Sequence, residues 1–366
     1  MRKIAGVVFI SLVFVTLAFS TIAFASPQHK KFVLENPAGV PEGCVVHRQS
    51  KHITVVSCPD GTGEALGLAE DLEAYTMDSI ANTQVNAVQV HALGFDGTGR
   101  TVAVLDTGAQ CDHPELAGSC VSGWDLVNND SDASDDNGHG THVAGIITAN
   151  GVVSRARGVA PGTVVKAYKV LDSAGSGSFS NIIDAVYKAA DSPEVDAISM
   201  SLGTSAPYLY RKGNCDGVLP ALDTAIGYAL SKGKVVVAAA GNSGKNGVSL
   251  PGCISTVVAV GAVDFSDRVA SFSSRGFAMR DHGVAAPGVG IYSTWIGSSY
   301  ATLSGTSMAT PMVSALVALS RQKNSSTTPA LVKSLTFSTA KDLGPLGADN
   351  DYGKGRIDAL ACVNAS

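Results

Sequence analysis

VVKAYKVLD (164–172), FSNIIDAVYKAAD (179–191) and DAISMSLG (196–203) succeed one another with only short links between them. The first and last are short apolar runs of strand character, and the middle one repeats its apolar residues at helical spacing. Strand, helix and strand in this order form the unit from which parallel sheets are built. The pattern continues on both sides. TVAVLDTG (101–108), KVVVAAAGN (234–242) and TVVAVGAV (256–263) are further apolar strands, while GHGTHVAGIITA (138–149) is a helix entered through glycine. PALDTAIGYALSKG (220–233), SMATPMVSALVALSRQ (307–322) and TPALVKSLTFSTA (328–340) are helical. Strands apolar along their whole length must be covered on both faces. The expected fold is α/β, three layers deep, with a mostly parallel sheet between helices.

The texture differs before residue 80. KFVLEN (31–36) and CVVHRQSKHITVVSC (44–58) read as strands, and GLAEDLEAYTMDSI (67–80) as a short helix running into an extended end. A small α+β segment, 26–80, is therefore expected ahead of one large domain, 81–366, with the boundary somewhere in 74–83. Ahead of both, Arg2 and Lys3 precede an uncharged stretch from Ile4 to Phe24, and Ala23-Phe24-Ala25 offers a small-x-small cleavage site. That is the order of a secretory signal over residues 1–25. The stretch is also long enough to be a retained membrane anchor, so export is expected, with an uncleaved, anchored form as the alternative.

The 366 residues are 45% hydrophobic and 16% charged, with a net charge of −5. Long disorder does not fit so apolar a composition. No Lys/Arg run supplies an electrostatic footprint for nucleic acid. Seven cysteines fit an exported chain. Their order suggests Cys44–Cys58, Cys111–Cys120 and Cys215–Cys253, with Cys362 left over, although sequence does not fix connectivity and buried free thiols are the alternative. No CxxC spacing points to zinc.

In a parallel sheet the reactive groups belong at the carboxyl ends of strands. Asp106 ends TVAVLD, and His139 and Ser307 stand at helix starts. Alone, each is an ordinary turn or cap residue. Together, VLDTGAQCDHPEL (104–116), NGHGTHVAG (137–145) and SGTSMATP (304–311) resemble the three catalytic blocks of the subtilases, the subtilisin-like serine proteases, in the family's order of Asp, His, Ser. AAAGNSG (238–244) resembles the family's oxyanion segment and YGKGRIDA (352–359) its closing segment. The likeness runs from about residue 80 to 361.

The resemblance implies a serine endopeptidase in which His139 takes the proton of Ser307, Asp106 holds the imidazole, and Asn242 donates to the oxyanion. It gives Gly305 close access to substrate backbone and places Pro311 as in the family's serine helix, with His142 as a support. It implies an extended peptide lying between Gly175-Ser176-Gly177 and Ser201-Leu202-Gly203. Phe179 would line an outer apolar pocket. Ala239, Ala240 and Gly241 would wall the primary pocket, with Ser249 and Leu250 near its base. None of these residues is charged, so a broad or apolar P1 preference follows.

DLVNNDSDASDDNG (125–138) is rich in hard oxygen donors and suits Ca²⁺. It resembles the calcium loop of thermitase-like subtilases, with Asp125, Asn128, Asp130, Asp132 and Ser134 in the matching places. Asn128 stands where that pattern has an acid, and a solvated acidic loop is the alternative. A second family calcium site fits worse: Glu115 keeps its carboxylate, but Val152 replaces an amide ligand in ANGVVSRARG (149–158). Residues 26–80 resemble subtilase propeptides, which inhibit the enzyme until cut off. The implied partners are protein or peptide substrates and the chain's own propeptide, with the enzyme acting as a monomer.

Overall fold

The structure, a computed structural model, describes residues 30–35, 39–70 and 80–366. The expected signal segment 1–25 and most of the expected boundary region lie outside the described residues. Two compact units are present, Met1–Ala74 and Tyr75–Ser366.

In the first unit, β1 (Lys31–Glu35), β2 (Val45–Gln49), β3 (Ile53–Ser57) and β4 (Ala69–Glu70) form a four-stranded sheet in the order β2-β3-β1-β4. Phe32, Leu34, Val56 and Cys58 are its core. Helix α1 (Thr62–Ala65) packs so closely that a Cβ on Gly63 would stand 2.1 Å from the Phe32 ring. Of the segment 67–80 expected to begin as a helix, residues 67–70 are not helical, and 71–79 lie outside the described residues. Gly67, at φ 65°, ends the preceding turn, and Ala69–Glu70 join the edge of β1 as a strand.

The second unit opens with α2 (Ile80–Gln84) and α3 (Ala87–Ala92). Its sheet contains β5 (Thr101–Asp106), β6 (Cys120–Asp125), β7 (Val164–Lys169), β8 (Val195–Met200), β10 (Val235–Ala239), β12 (Val258–Val263) and β13 (Gly283–Pro287). The order is β13-β12-β10-β8-β5-β7-β6, and every pairing is parallel. All six residues of β5 are buried: Val102 and Val104 face one core, Ala103 and Leu105 the other. Period-two alternation splits an unbroken apolar run between the two faces.

Helices α4 (His139–Thr148) and α8 (Thr306–Lys323) cover the first face, with α9 (Pro329–Ser338) and α10 (Ala359–Ala365). Helices α5 (Phe179–Asp191), α6 (Pro220–Ser231) and α7 (Phe277–His282) cover the second. Ser178 caps α5 by accepting from Asn181 N–H, and the helix buries Ile182, Ala185, Val186, Ala189 and Ala190. Two small antiparallel pairs complete the unit: β9 (Leu209–Tyr210) with β11 (Val248–Ser249), and β14 (Ile291–Trp295) with β15 (Ser299–Leu303).

Disulfides join Cys44–Cys58, Cys111–Cys120 and Cys215–Cys253, while Cys362 is a buried thiol. Among the described residues no helix is long and apolar enough to cross a membrane.

Candidate active site

Strands β10, β8 and β5 are neighbours in the sheet, and their carboxyl ends lead into Asn242, Ser201 and Asp106. Asp106 is fully buried. Its Oδ1 accepts from His139 Nδ1–H at 2.7 Å and from Thr107 N–H at 2.8 Å, and Oδ2 has no partner among the described residues. Burial disfavours a charged His139. The Asp106 carboxylate, by charge and hydrogen bond, and the charge of Asp135 outweigh that, so the imidazole pKa lies above its ordinary value.

Two groups outside the expected set hold this pair. Asp135 accepts from Thr107 Oγ1, from the N–H groups of Asn137, Gly138 and Thr141, and from Thr141 Oγ1, at 2.6–3.0 Å. It caps the helix that His139 opens, where Gly138 has no side chain to do so. An acid just ahead of a helix start is a legible capping signal. Lys169, also fully buried, donates to the Thr107 and Leu171 carbonyls at 2.8 and 3.0 Å and to Asp136 at 2.6 Å. It pins the turn that follows Asp106. Within VVKAYKVLD nothing distinguishes it from an ordinary strand residue.

Ser307 is the second residue of α8. Its hydroxyl donates to the Ser201 carbonyl at 3.2 Å, and Ser201 Oγ donates to the Ser307 carbonyl at 2.9 Å. Asn242 Oδ1 accepts from Thr306 N–H at 2.9 Å and Thr306 Oγ1 at 3.1 Å, which turns Nδ2 the other way. A Cβ built on Gly305 would stand 3.5 Å from Asn242 Nδ2 and 3.6 Å from Ser307 N. Two donors therefore flank one small space that glycine leaves open. Gly305 itself is extended, with φ 166°, so the backbone does not require glycine there.

His139 and Ser307 line one cleft of about 650 Å³ with Gly175, Ser176, Gly177, Phe179, Ser201, Leu202 and Gly203. Ser205, Ala206 and Tyr208, which the sequence did not single out, line it too. The Gly175-Ser176-Gly177 turn is tied back to Asp172. The Asp172 carbonyl accepts from Gly175 N–H at 2.9 Å, and its carboxylate accepts from Ser176 N–H at 3.0 Å. Ala240 and Ser249 are fully buried behind the cleft. Ser249 Oγ occupies the narrow space between Gly203 and Gly241, where a Cβ would come within 2.4 and 2.7 Å of it. His142 donates from Nε2 to the Ala301 carbonyl at 3.1 Å, and burial pushes its pKa down to about 4.

The profile of the subtilase family matches residues 97–355. The chain belongs to the subtilase family. It is 40% identical over 271 residues to thermitase of Thermoactinomyces vulgaris, spanning 73% of this chain and 90% of thermitase. It is 39% identical over 281 residues to subtilisin Savinase of Lederbergia lenta, spanning 77% and 97%. The crystal structure of a cold adapted subtilisin-like serine proteinase superposes with a TM-score of 0.62 at 36% identity, covering 73% of this chain and 90% of that one. This subtilase is a subtilisin-like serine endopeptidase with the expected α/β fold.

The subtilase's acidic loop is tied to itself. Asp125 accepts from the N–H groups of Val127 and Asn128 and from Asn128 Nδ2, Asp130 from Asp132 N–H, and Asp132 from Ser134 N–H and Oγ. Among the described residues no three His, Cys, Asp or Glu side chains converge as a metal cage. Glu115 is more fully engaged. It accepts from Gly151, Val152 and Val153 N–H at 2.7, 2.9 and 2.6 Å, and from the Tyr300 hydroxyl at 3.0 Å. Four donors aimed at one carboxylate leave no face for a cation.

Proposed function

We propose that Asp106, His139 and Ser307 form the catalytic triad of this endopeptidase. The observation that carries the proposal is the 2.7 Å hydrogen bond from buried Asp106 to His139, which lines the cleft with Ser307. With Nδ1–H committed to Asp106, the Nε2 lone pair is the base. The Ser307 hydroxyl turns from the Ser201 carbonyl towards it, gives up its proton and attacks the scissile carbonyl. The oxygen of the tetrahedral intermediate enters the space beside Gly305, between Asn242 Nδ2 and Ser307 N–H. His139 then returns the proton to the leaving amine, and water repeats the sequence on the acyl-enzyme.

An extended peptide would run between 175–177 and 201–203, using their backbone groups, with Phe179 on the outer apolar side. The slot bounded by Gly203 and Gly241 and floored by Ser249 carries no charge, which supports an apolar or broad P1 preference. The first unit would act as a propeptide, cut within 74–83 by the enzyme itself, on a chain exported through residues 1–25. Calcium remains the reading for Asp125, Asn128, Asp130, Asp132 and Ser134, as a stabiliser of their loop only. Its fit is partial, since Asp125 Oδ1 is held by two loop N–H groups and Oδ2 by the Asn128 side-chain amide, which would have to turn aside for an ion.

Labelling by a fluorophosphonate probe, with intact-mass analysis of wild type beside Ser307→Ala, tests this. Labelling lost in the variant, on wild-type protein whose mass begins near residue 80, supports both the triad and self-processing. Folded wild type that never labels rejects the triad. A Ser307→Ala chain of the same mature size as wild type rejects self-processing.

A further inference from the structure

Arg211, Lys212, Lys245 and Arg275 border one cleft of about 480 Å³, together with Gly276, Phe277, Asn350 and Asp351. The chain as a whole is acidic, at −5, yet four cations meet here around a single carboxylate. Among the described residues Asp351 pairs with Arg275 alone, at 3.5 Å. Among the described residues Arg211, Lys212 and Lys245 have no acidic partner and are exposed. Like charges held together without neutralisation repel, and an anion relieves them.

The backbone under these side chains is fixed. Tyr210 pairs with Val248 across β9 and β11, Phe277 N–H donates to the Arg211 carbonyl at 3.1 Å, and the Cys215–Cys253 bridge tethers the segment beyond Lys212. Gly247 and Gly276 allow the close approach: a Cβ on either would lie 2.6 or 2.9 Å from backbone atoms of Tyr210 or Arg211. The backbone beside the cleft is also bonded to the expected oxyanion segment. Ser274 N–H donates to the Gly241 carbonyl and Arg275 N–H to the Gly244 carbonyl, each at 2.9 Å. Lys245 is three residues from Asn242, a chain distance of at most about 10 Å.

We propose that this cationic cleft binds carboxylate-rich segments of protein substrates, a few residues from the bond being cut. The proposal rests on the peptidase reading of the neighbouring site. Its recognition chemistry is charge on charge at an exposed surface, so it acts on kcat/KM and weakens with salt.

The test uses fluorogenic peptides with one cleavable core, carrying Glu-rich or Gln-rich tails at either end. Wild type should favour a Glu-tailed peptide by about tenfold in kcat/KM at low ionic strength, and the preference should vanish in high salt. Combining Arg211→Gln, Lys212→Gln and Lys245→Gln should abolish the preference and leave cleavage of the Gln-tailed peptide unchanged. Equal cleavage of both tails by wild type overturns the proposal. Anisotropy of the labelled Glu-tailed peptide with Ser307→Ala protein separates the two readings. Binding that the three substitutions remove supports the cleft even if nothing is hydrolysed, and equal binding of both tails overturns it.

Discussion

Ser201 and Ser307 exchange hydrogen bonds, each hydroxyl donating to the other's carbonyl, at 2.9 and 3.2 Å. Pro311 makes this exchange possible. It lies inside α8 and has no N–H to offer the Ser307 carbonyl four residues earlier. Ser201 Oγ supplies the missing donor.

Ser201→Ala should therefore loosen the first turn of α8 and not the fold. The loss of one neutral hydrogen bond, about 1 kcal/mol, predicts a fall in kcat of about fivefold with KM nearly unchanged. Steady-state kinetics on a short peptide measures it. An unchanged kcat would show that Ser307 needs no such support.

Asp135 has two separable effects. Asp135→Asn removes a charged acceptor from five donors and should lower stability by about 2–3 kcal/mol in urea unfolding. It also removes one of the charges that raise the His139 pKa. A general base must be neutral, so activity is lost as pH falls through that pKa, and the acid limb of kcat/KM should move to lower pH in the variant. For folding, a raised histidine pKa contributes stability that is complete below the unfolded value near 6.5 and disappears as pH rises through the folded one. An acid limb that does not move would remove Asp135 from the electrostatics of His139.

Gly305→Ala separates access from folding. The added methyl clashes with nothing and the backbone is extended, so the melting temperature should hold. The methyl fills the space between the two donors, so kcat/KM should drop by roughly a hundredfold or more, as when an oxyanion donor is lost. Asn242→Ala should cost about 3 kcal/mol in transition-state stabilisation, a scale itself set by measurements on a subtilisin. Full activity in Gly305→Ala would place the oxyanion elsewhere.

Calcium and Glu115 give opposite expectations. If the acidic loop takes an ion, chelation should lower the melting temperature, and a melting curve indifferent to chelator ends that reading. Glu115→Gln should destabilise by about 2 kcal/mol whether or not calcium is present, because it turns an amide towards backbone N–H groups. Burial and Glu115 push the Tyr300 hydroxyl up to about 12, so that donor persists through the working range of pH. Rescue of Glu115→Gln by calcium would contradict the saturated carboxylate.

The continuous apolar runs make the parallel sheet legible, because an alternating pattern would mean one wet face. Asp106, His139 and Ser307 are each an ordinary turn or cap residue by position, and they become legible only because the three blocks around them together resemble the catalytic blocks of the subtilases. What is not legible depends on partners far away in sequence. Glu115 reads as a weakened ligand until the N–H groups of 151–153 are seen to occupy it. Lys169 reads as a strand residue, and the cationic cleft gathers residues 211, 245 and 275 that share no motif. Residues 67–70 depart from the expected helix for a local reason, since the left-handed Gly67 and the open edge of β1 outweigh its composition there.

An endopeptidase is always among its own potential substrates, and its exposed loops are where self-cleavage begins. The Cys215–Cys253 bridge spans the exposed residues 216–218 that follow the cationic segment. A nick there leaves both new ends covalently joined, so the damaged molecule keeps its mass on a non-reducing gel and separates only after reduction. The crosslink that braces the intact enzyme would thus also serve as a splint for one that has been cut in that loop.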